Sequence, residues 1–492
     1  MRMTILTCAL LALSATAFAN YPFLPNVKAA EYGDSIDMGE TGMALWGANI
    51  FTISNTAQRG TYAVAPYGRS TNAGQTWLPT RGFQDLSRGT WHSDPAVCYD
   101  AQGNVHMAIQ YSTTVTTHYL STEGGNTWCD TADITDRGTG GGVDKDWMIY
   151  DQGNLYVTWQ EVSGPQTGIR FAKSTDGGHT WTRMTIVPGG SGITTLATDY
   201  NRVIYLVYGW DNLYFTKSTD QGATWSSPLF LNSVTYSTGY GDRAPMPCIA
   251  VPANGVVFLA WTDDRSGNWD VLYRRSTDGG ANWSSIATLN DSTVGGQFKV
   301  WLCTDPYGGL HAFYYHTRSW PTSNTSRLSM RYNYSPDGGA TIYPSIRMTD
   351  TTFTSRNTFL GEYHNIVCDS QRLYAEWADG REGYNKIYFT TALLSQLSIE
   401  DNYRLPQARP AIALDLPAVF RQSARLNLTL DRAQNVELAI FDASGRKVRQ
   451  LHSGLLPQGS NDFLLSGLPG NRPLFLRLAG PAPQVLKFVV LP

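Results

Sequence analysis

One eight-residue phrase recurs along the chain and limits what it can fold into. It reads STNAGQTW at 70–77, STEGGNTW at 121–128, STDGGHTW at 174–181, STDQGATW at 218–225 and STDGGANW at 276–283. A worn copy, SPDGGATIY, stands at 335–343. The period is about 50 residues, the spacing of one supersecondary unit copied many times. Each copy carries the chemistry of a tight turn. The acidic residue at the third position (Asp176, Asp220, Asp278 and Asp337 in four copies) offers a side-chain oxygen to backbone N–H groups two residues on. Glycine supplies the positive φ of a hairpin. Trp181, Trp225 and Trp283 close the phrase as large apolar anchors, expected to pin each turn onto its own sheet.

Ahead of each copy lies a second regular pattern. An apolar strand, a short glycine turn and another apolar strand are followed by a loop and a third strand running into the turn phrase. It is clear at 94–111, 146–159, 247–261 and 300–315, and shorter at 195–208, where Asn-Arg replaces the glycine turn. Residues after the closing tryptophan add a fourth strand, so each repeat predicts a four-stranded blade. A first unit opens at 42–53 and a last at 362–377, which makes seven units with six turn phrases. The last unit lacks a clear fourth strand. The segment 20–36 can supply it and hide the sheet edges. The expected fold is all-β: a seven-bladed β-propeller, six blades being the alternative, over 20–395. A linker at 396–410 and a small Ig-like β-sandwich at 411–492 follow, the latter read from RLNLTL, VELAIF, LFLRL and VLKFVVL.

Composition narrows the function. The chain has 47 Gly, 27 Tyr and 15 Trp with only 16% charged residues, as a turn-rich all-β protein does. A net charge of −3 offers no basic field, so nucleic acid is not an expected partner. Residues 1–19 combine Arg2, an apolar run and an A-F-A end, the pattern of a secretory signal peptide. No other long apolar segment exists, so no transmembrane segment is expected. Apart from Cys8, five cysteines remain. Cys98, Cys303 and Cys368 fall at one place in three repeats, with Cys248 two residues off that register. They are expected to be small buried hydrophobes at separate blade interfaces, so that they cannot all meet, and to be free thiols with no bridge among Cys98, Cys303 and Cys368. Cys129 fits no pattern.

The repeated phrase resembles the Asp box (S-x-D-x-G-x-x-W) of sialidases and other BNR-repeat β-propellers, over roughly 30–394. That resemblance implies a propeller and a structural role for the box. Near the C-terminus, VELAIFDASGRKVRQL resembles the sorting domain of type IX secretion substrates, V-x-L-x-I-x-D-x-x-G-R-x-V. The usual S-G-x-Y is replaced by NRPL at 471–474. This resemblance implies a Gram-negative host, outer-membrane secretion machinery as a partner, and a secreted or cell-surface protein. An ordinary Ig-like accessory module is the alternative.

Propeller ligands usually sit on the face opposite the box hairpins, over the central channel. The loops between one blade's fourth strand and the next blade's first carry Arg88, His92, Asp94, Asp144, Lys145, Asp242, Arg243, Arg356, Glu362, Tyr363 and His364. Those between second and third strands carry Glu161, Trp210, Asp211, Asp263, Asp264, Arg265, Arg318, Glu376, Asp379 and Arg381. Carboxylates, guanidiniums and aromatics on one face suit a glycan or glycoprotein. The ligand-binding candidates are Arg243, Arg265, Arg356, Arg381, Asp263 and Trp210. WTDDR at 261–265 and WADGR at 377–381 read equally as loop braces, an Asp–Arg pair tying each loop.

Sialidases hold the substrate carboxylate with three arginines and use a tyrosine nucleophile, a glutamate and an acid/base aspartate. The resemblance makes Tyr363 the nucleophile candidate and Asp94 its catalytic companion. Glu362 adjoins Tyr363, but strand neighbours point to opposite faces. The F/Y-R-I-P phrase of the first blade is missing, because no arginine lies between Arg2 and Arg59; DRAP at 242–245 is its nearest echo. Fold therefore does not carry activity here. No zinc-type Cys/His spacing or nucleotide motif occurs, so no metal or cofactor is expected. Two function classes remain: a glycan-directed protein, binding sugars or hydrolysing them as an exo-sialidase does, and a non-catalytic adhesion propeller that binds protein.

Overall fold

The computed structural model describes residues 22–56, 64–89, 91–111, 114–136, 142–236, 245–253, 255–318, 326–354, 360–397, 412–416, 419–430, 434–443, 446–457, 459–479 and 484–491. The expected signal peptide at 1–19 and most of the expected linker at 396–410 lie outside them, as do Asp242, Arg243 and Arg356. The described residues form two compact units, one within Met1–Tyr403 and one within Arg404–Pro492.

The first unit is a β-propeller. Its strands order into seven antiparallel sheets of four. Blade 1 comprises Met38–Trp46, Asn49–Thr56, Ala65–Ser70 and Arg81–Phe83. The innermost strands of blades 2 to 6 are His92–Tyr99, Val143–Asp151, Ile193–Thr198, Cys248–Ala253 and Gly296–Thr304. Blade 7 has three sequential strands, Asn365–Cys368, Arg372–Asp379 and Lys386–Leu393, and takes its outer strand from Val27–Ala30. Val27 pairs with Phe389 and Lys28 with Tyr388. Inner strands touch in chain order, and that of blade 7 touches that of blade 1, so the ring is closed.

Each blade is covered on both faces by its neighbours, which explains the apolar runs of the middle strands. Val257, Phe258, Leu259, Ala260 and Trp261 in succession are fully buried. Strand-to-strand turns are held by aspartates. Asp100 Oδ1 accepts from the backbone N–H groups of Gln102 (2.9 Å) and Asn104 (2.8 Å), and Asp305 Oδ1 from those of Tyr307 and Gly309 (both 2.8 Å).

The box hairpin joins third and fourth strands. In blade 5, Ser276 Oγ donates to Asp278 Oδ1 (2.8 Å) and accepts from Gly280 N–H (2.9 Å). Asp278 Oδ1 in turn accepts from Asn282 N–H (2.9 Å). The carboxylate thus caps a donor four residues on, not the two expected, because the loop between them has two residues in the left-handed region, Gly279 and Gly280. The tryptophans also depart from expectation. Each lies in a seam, reaching the preceding blade as well as its own sheet. Trp283 meets Phe215 of blade 4 edge-on, with ring centres 5.2 Å apart, and Trp225 meets Phe171 of blade 3 at 5.1 Å. Trp181 meets His118 of blade 2, and Trp77 reaches round to Phe389 of blade 7. The box is a staple between blades.

The cysteine expectation needs a correction as well. Among the described residues all five are free thiols, but Cys303 and Cys368 do meet, with sulfurs 3.8 Å apart across the seam of blades 6 and 7. Equivalent positions in adjacent inner strands face one another when both strands converge on the axis.

The second unit is a β-sandwich. A three-stranded sheet orders Ile412–Asp415, Ser423–Leu430 and Gly459–Ser466; a five-stranded one orders Val419–Arg421, Gln484–Leu491, Pro473–Ala479, Gln434–Asp442 and Lys447–Leu456. Alternate residues form its core: Leu426, Leu428 and Leu430 on one sheet, Leu438, Ile440, Leu474, Leu476 and Leu478 on the other.

Candidate functional site

A feature of the inner strands builds the site. Glu40, Asp94, Lys145 and Lys299 all have positive φ, at 53°, 49°, 62° and 55°. Each stands where the pairing of first and second strand slips by a bulge, in blades 1, 2, 3 and 6. Charged non-glycine residues in the left-handed region cost on the order of 1–3 kcal/mol each and collect at functional sites. Here the bulge turns one charged side chain per blade out of the sheet and towards the axis.

Side chains from blades 1, 2, 3, 6 and 7 meet there. Lys145 Nζ donates to Glu362 Oε2 at 2.5 Å and lies 3.4 Å from Asp144 Oδ1 and 3.9 Å from Asp94 Oδ2. Asn55 Nδ2 donates to Asp94 Oδ1 (3.2 Å) and to Glu40 Oε2. Tyr363 Oη donates to Asp94 Oδ2 at 3.4 Å. Lys299 Nζ donates to the Gly361 carbonyl at 2.5 Å. Trp147 of blade 3 packs against Trp301 of blade 6, ring centres 4.8 Å apart. Contacts between blades so far apart in the ring are made only across its centre. Asp144 is the open edge, its side chain 38% exposed, while that of Glu362 is 14% exposed and Glu40, Asp94, Lys145 and Tyr363 are buried.

The electrostatics divide the carboxyl groups. Burial, then the charges of Asp94 and Glu362, raises Glu40 well above the usual carboxylate range, so it keeps its proton. Burial works the same way on Glu362, but the charge of Lys145, the hydrogen bonds from Glu40 and Lys145 and the charge of Lys299 together outweigh it and hold that group at about 2. Asp144 is pushed to about 6, by burial first and against the pull of Lys145. Burial alone would lower Lys145; the surrounding carboxylates raise it instead, and it stays a cation. Burial first, then the charges of Asp94 and Glu362, raise Tyr363, so its phenol stays neutral.

The remaining sequence candidates are placed as follows. Tyr363, in the loop ahead of Asn365–Cys368 as expected, and Asp94, which lies within the strand His92–Tyr99 rather than in a loop, are brought together. Arg265 grips Asp263 with two bonds, Nε to Oδ1 (2.8 Å) and Nη2 to Oδ2 (2.6 Å), while Trp261 Nε1 donates to Asp263 Oδ2 (3.1 Å). Arg381, Asp379 and Trp377 repeat that arrangement in blade 7 (3.0, 2.7 and 3.0 Å). These two arginines are engaged in bracing their own loops. Trp210 Nε1 donates to Gln160 Oε1 (3.3 Å), and Arg88 pairs with Asp133 (2.5 Å). His364 packs among Trp301, Phe313 and Tyr315, and burial, then Lys299, pushes it down to about 3. Glu376 is fully buried against Thr52 of blade 1.

Glu40, Asn55, Lys299, Trp147 and Trp301 were not singled out by sequence. A signal existed: a charged residue opens the first strand of several repeats, in MGETGM, SDPAV, DKDWM and FKVWL. Two open grooves, of about 300 and 310 Å³, lie elsewhere, at seams of blades 3–4 and 1–2, lined by the box hairpins themselves. Among the described residues, no group of three metal-donor side chains is disposed to hold an ion, and no helix is long and apolar enough to cross a membrane.

No protein-family model matches the chain, and no curated protein does. Solved structures do. A protein of unknown function from Dyadobacter fermentans is 15% identical, the match covering 75% of this chain and 98% of that one, with a TM-score of 0.46. An ulvan lyase, a polysaccharide lyase, is 13% identical over 74% of this chain and 95% of its own, at a TM-score of 0.47. A mutant of the NanB sialidase from Streptococcus pneumoniae is 13% identical over 77% and 71%, at 0.41. Likeness at such identities concerns the fold alone.

Proposed function

We propose that the first unit is a glycan-binding propeller and that its ligand seat is the axial cluster. One observation carries this reading: five blades deliver four carboxyl groups, two lysines, a tyrosine and the half-buried Trp147 to one point, four of them from strained bulges. Carboxylates and lysines match the hydroxyl groups of a sugar, and an indole matches its apolar face.

Binding is favoured over sialidase-type hydrolysis on three grounds. Among the described residues, lysines rather than arginines supply the positive charge of the cluster. Burial first, and then the neighbouring carboxylates, keep the Tyr363 phenol protonated, the reverse of what a nucleophile needs. Glu40 and Glu362 are hydrogen-bonded to each other, whereas a hydrolytic pair stands about 5–9.5 Å apart to flank the glycosidic bond. The same surplus of carboxyl groups favours neutral or amino sugars over sialosides.

The test is a glycan array spanning neutral, amino and sialylated sugars, with a fluorogenic sialoside assay beside it. Asp144→Asn and Trp147→Ala, both at the open edge, should each weaken the captured glycan at least tenfold. Unchanged affinity in both variants, or turnover of the sialoside, would overturn the reading.

We propose in addition that 1–19 is a secretory leader and 411–492 an export module of the type IX kind. The VELAIFDASGRKV phrase supports this, its two halves lying in the paired strands Gln434–Asp442 and Lys447–Leu456. Deleting 411–492 should leave the protein in the periplasm of a type IX host; undiminished surface display would refute it.

A further inference from the structure

We propose that Cys303 and Cys368 form an inter-blade disulfide when the folded protein meets a disulfide oxidant. The two residues occupy matching positions in neighbouring inner strands, Gly296–Thr304 of blade 6 and Asn365–Cys368 of blade 7. Their sulfurs lie 3.8 Å apart, and the Cys368 thiol donates to the Thr304 carbonyl at 3.0 Å, which holds it at the seam beside Cys303. A disulfide needs about 2.05 Å between sulfurs, so the remaining gap is under about 2 Å and lies within the reach of side-chain rotation and small strand shifts.

Both residues are half-buried, whereas Cys248, the nearby cysteine of blade 5, is buried; burial raises the Cys303 thiol well above its ordinary value, so exchange there is favoured at alkaline pH. Cys98 holds the same register in blade 2, and among the described residues no cysteine faces it. The pair is therefore a property of one seam and not of the repeat.

The chemistry balances as thiol–disulfide exchange. One cysteine, as its thiolate, attacks a sulfur of the oxidant, such as oxidised glutathione, and releases one glutathione thiolate. The second cysteine then attacks the protein-bound sulfur of the mixed disulfide and releases the other glutathione. Two electrons pass to the oxidant, and the two thiol protons go to water or the leaving thiolates. The new bond closes a loop of 65 residues. It ties the last boxed blade to the blade whose outer strand, Val27–Ala30, comes from a distant segment of the chain. Cross-linking so long a loop removes much freedom from the unfolded state.

The experiment treats the folded full chain with oxidised glutathione, blocks remaining thiols with N-ethylmaleimide and maps unreduced peptides by mass spectrometry. A linked peptide joining Cys303 to Cys368 is expected, with a rise in Tm of about 5 °C that dithiothreitol reverses. Cys303→Ala and Cys368→Ala should abolish both effects, and Cys98→Ala should retain both. The reduced-state Tm of each variant shows that it folds. Recovery of both cysteines as maleimide adducts, their arrest as separate glutathione adducts, or a bond from Cys303 to Cys248 would each overturn the proposal.

Discussion

Single residues in this propeller act through the charge they bring to an enclosed place. Lys145 is the clearest case, a buried cation with three carboxyl groups within 4 Å. Removing it leaves buried carboxylates facing one another without compensation. Lys145→Met should cost about 3–5 kcal/mol at pH 7. Part of that loss should return at pH 5, where the carboxyl groups regain protons; denaturant melts at both values check it, and an equal loss at both would show that repulsion is not the cause. Glu376 works in the opposite sense. Burial raises it to about 8, from 4.5 when unfolded, against the hydrogen bond from Thr52. Between those values the folded state holds a proton that the unfolded state releases. Stability therefore falls as pH rises from about 4.5 through 8, by up to about 1.4 kcal/mol per pH unit from this one group. Glu376→Gln, neutral and of the same shape, should flatten the Tm profile between pH 5 and 8. Parallel profiles for variant and wild type would rule out the assignment.

At the scale of the element, the repeated turn phrase is the unit that turns separate sheets into a ring. Its polar half closes its own hairpin, and its apolar half lands on the next sheet back. Gly280 shows both demands: its φ is 84°, and a Cβ there would lie 2.3 Å from the Phe215 ring. Gly280→Ala should therefore destabilise by more than the ~1 kcal/mol that a strain-free exchange involves, through both backbone strain and loss of blade contact. A double-mutant cycle separates own-sheet from cross-blade packing. Phe215→Ala and Trp283→Ala should couple by about 0.5–1.5 kcal/mol, the value of an edge-to-face aromatic pair. Coupling near zero in chemical denaturation would return the tryptophan to its own sheet.

The whole molecule depends on how its ring is closed. The outer edge of Lys386–Leu393 is covered by Val27–Ala30, helped by the bond from Leu24 N–H to the Thr391 carbonyl (2.9 Å) and by the Lys28–Glu382 ion pair (2.9 Å). Phe23 packs edge-on against Tyr332 of blade 6, so the same segment reaches two blades. Removing 20–31 leaves an unpaired strand edge, an invitation to pair with another chain. A truncated protein should melt at lower temperature and elute from a sizing column as oligomers. A monomer with the original Tm would mean that closure rests on the inner strands alone.

Much of this architecture is legible in the chain because it is local. The turn phrases mark each third-to-fourth strand hairpin, since Ser, Asp and Gly within eight residues satisfy one another without outside help. The paired apolar runs mark the first two strands of each blade, since every blade is covered on both faces. The missing fourth strand of the last unit points to 20–36 as its supplier. What the sequence does not disclose is whatever depends on neighbours across the ring. Trp283 looks like an anchor for its own hairpin until blade 4 is placed beneath it. Cys303 and Cys368 look separated by 65 residues until two inner strands converge. Asp94 and Lys145 read as loop residues of the ligand face and Glu40 and Lys299 as strand-end polar residues, because a bulge that turns all four inward is a matter of pairing register, set only when first and second strands meet. The hairpins follow from short-range hydrogen bonding, whereas the axial cluster exists only when five blades point their charges at the same small volume.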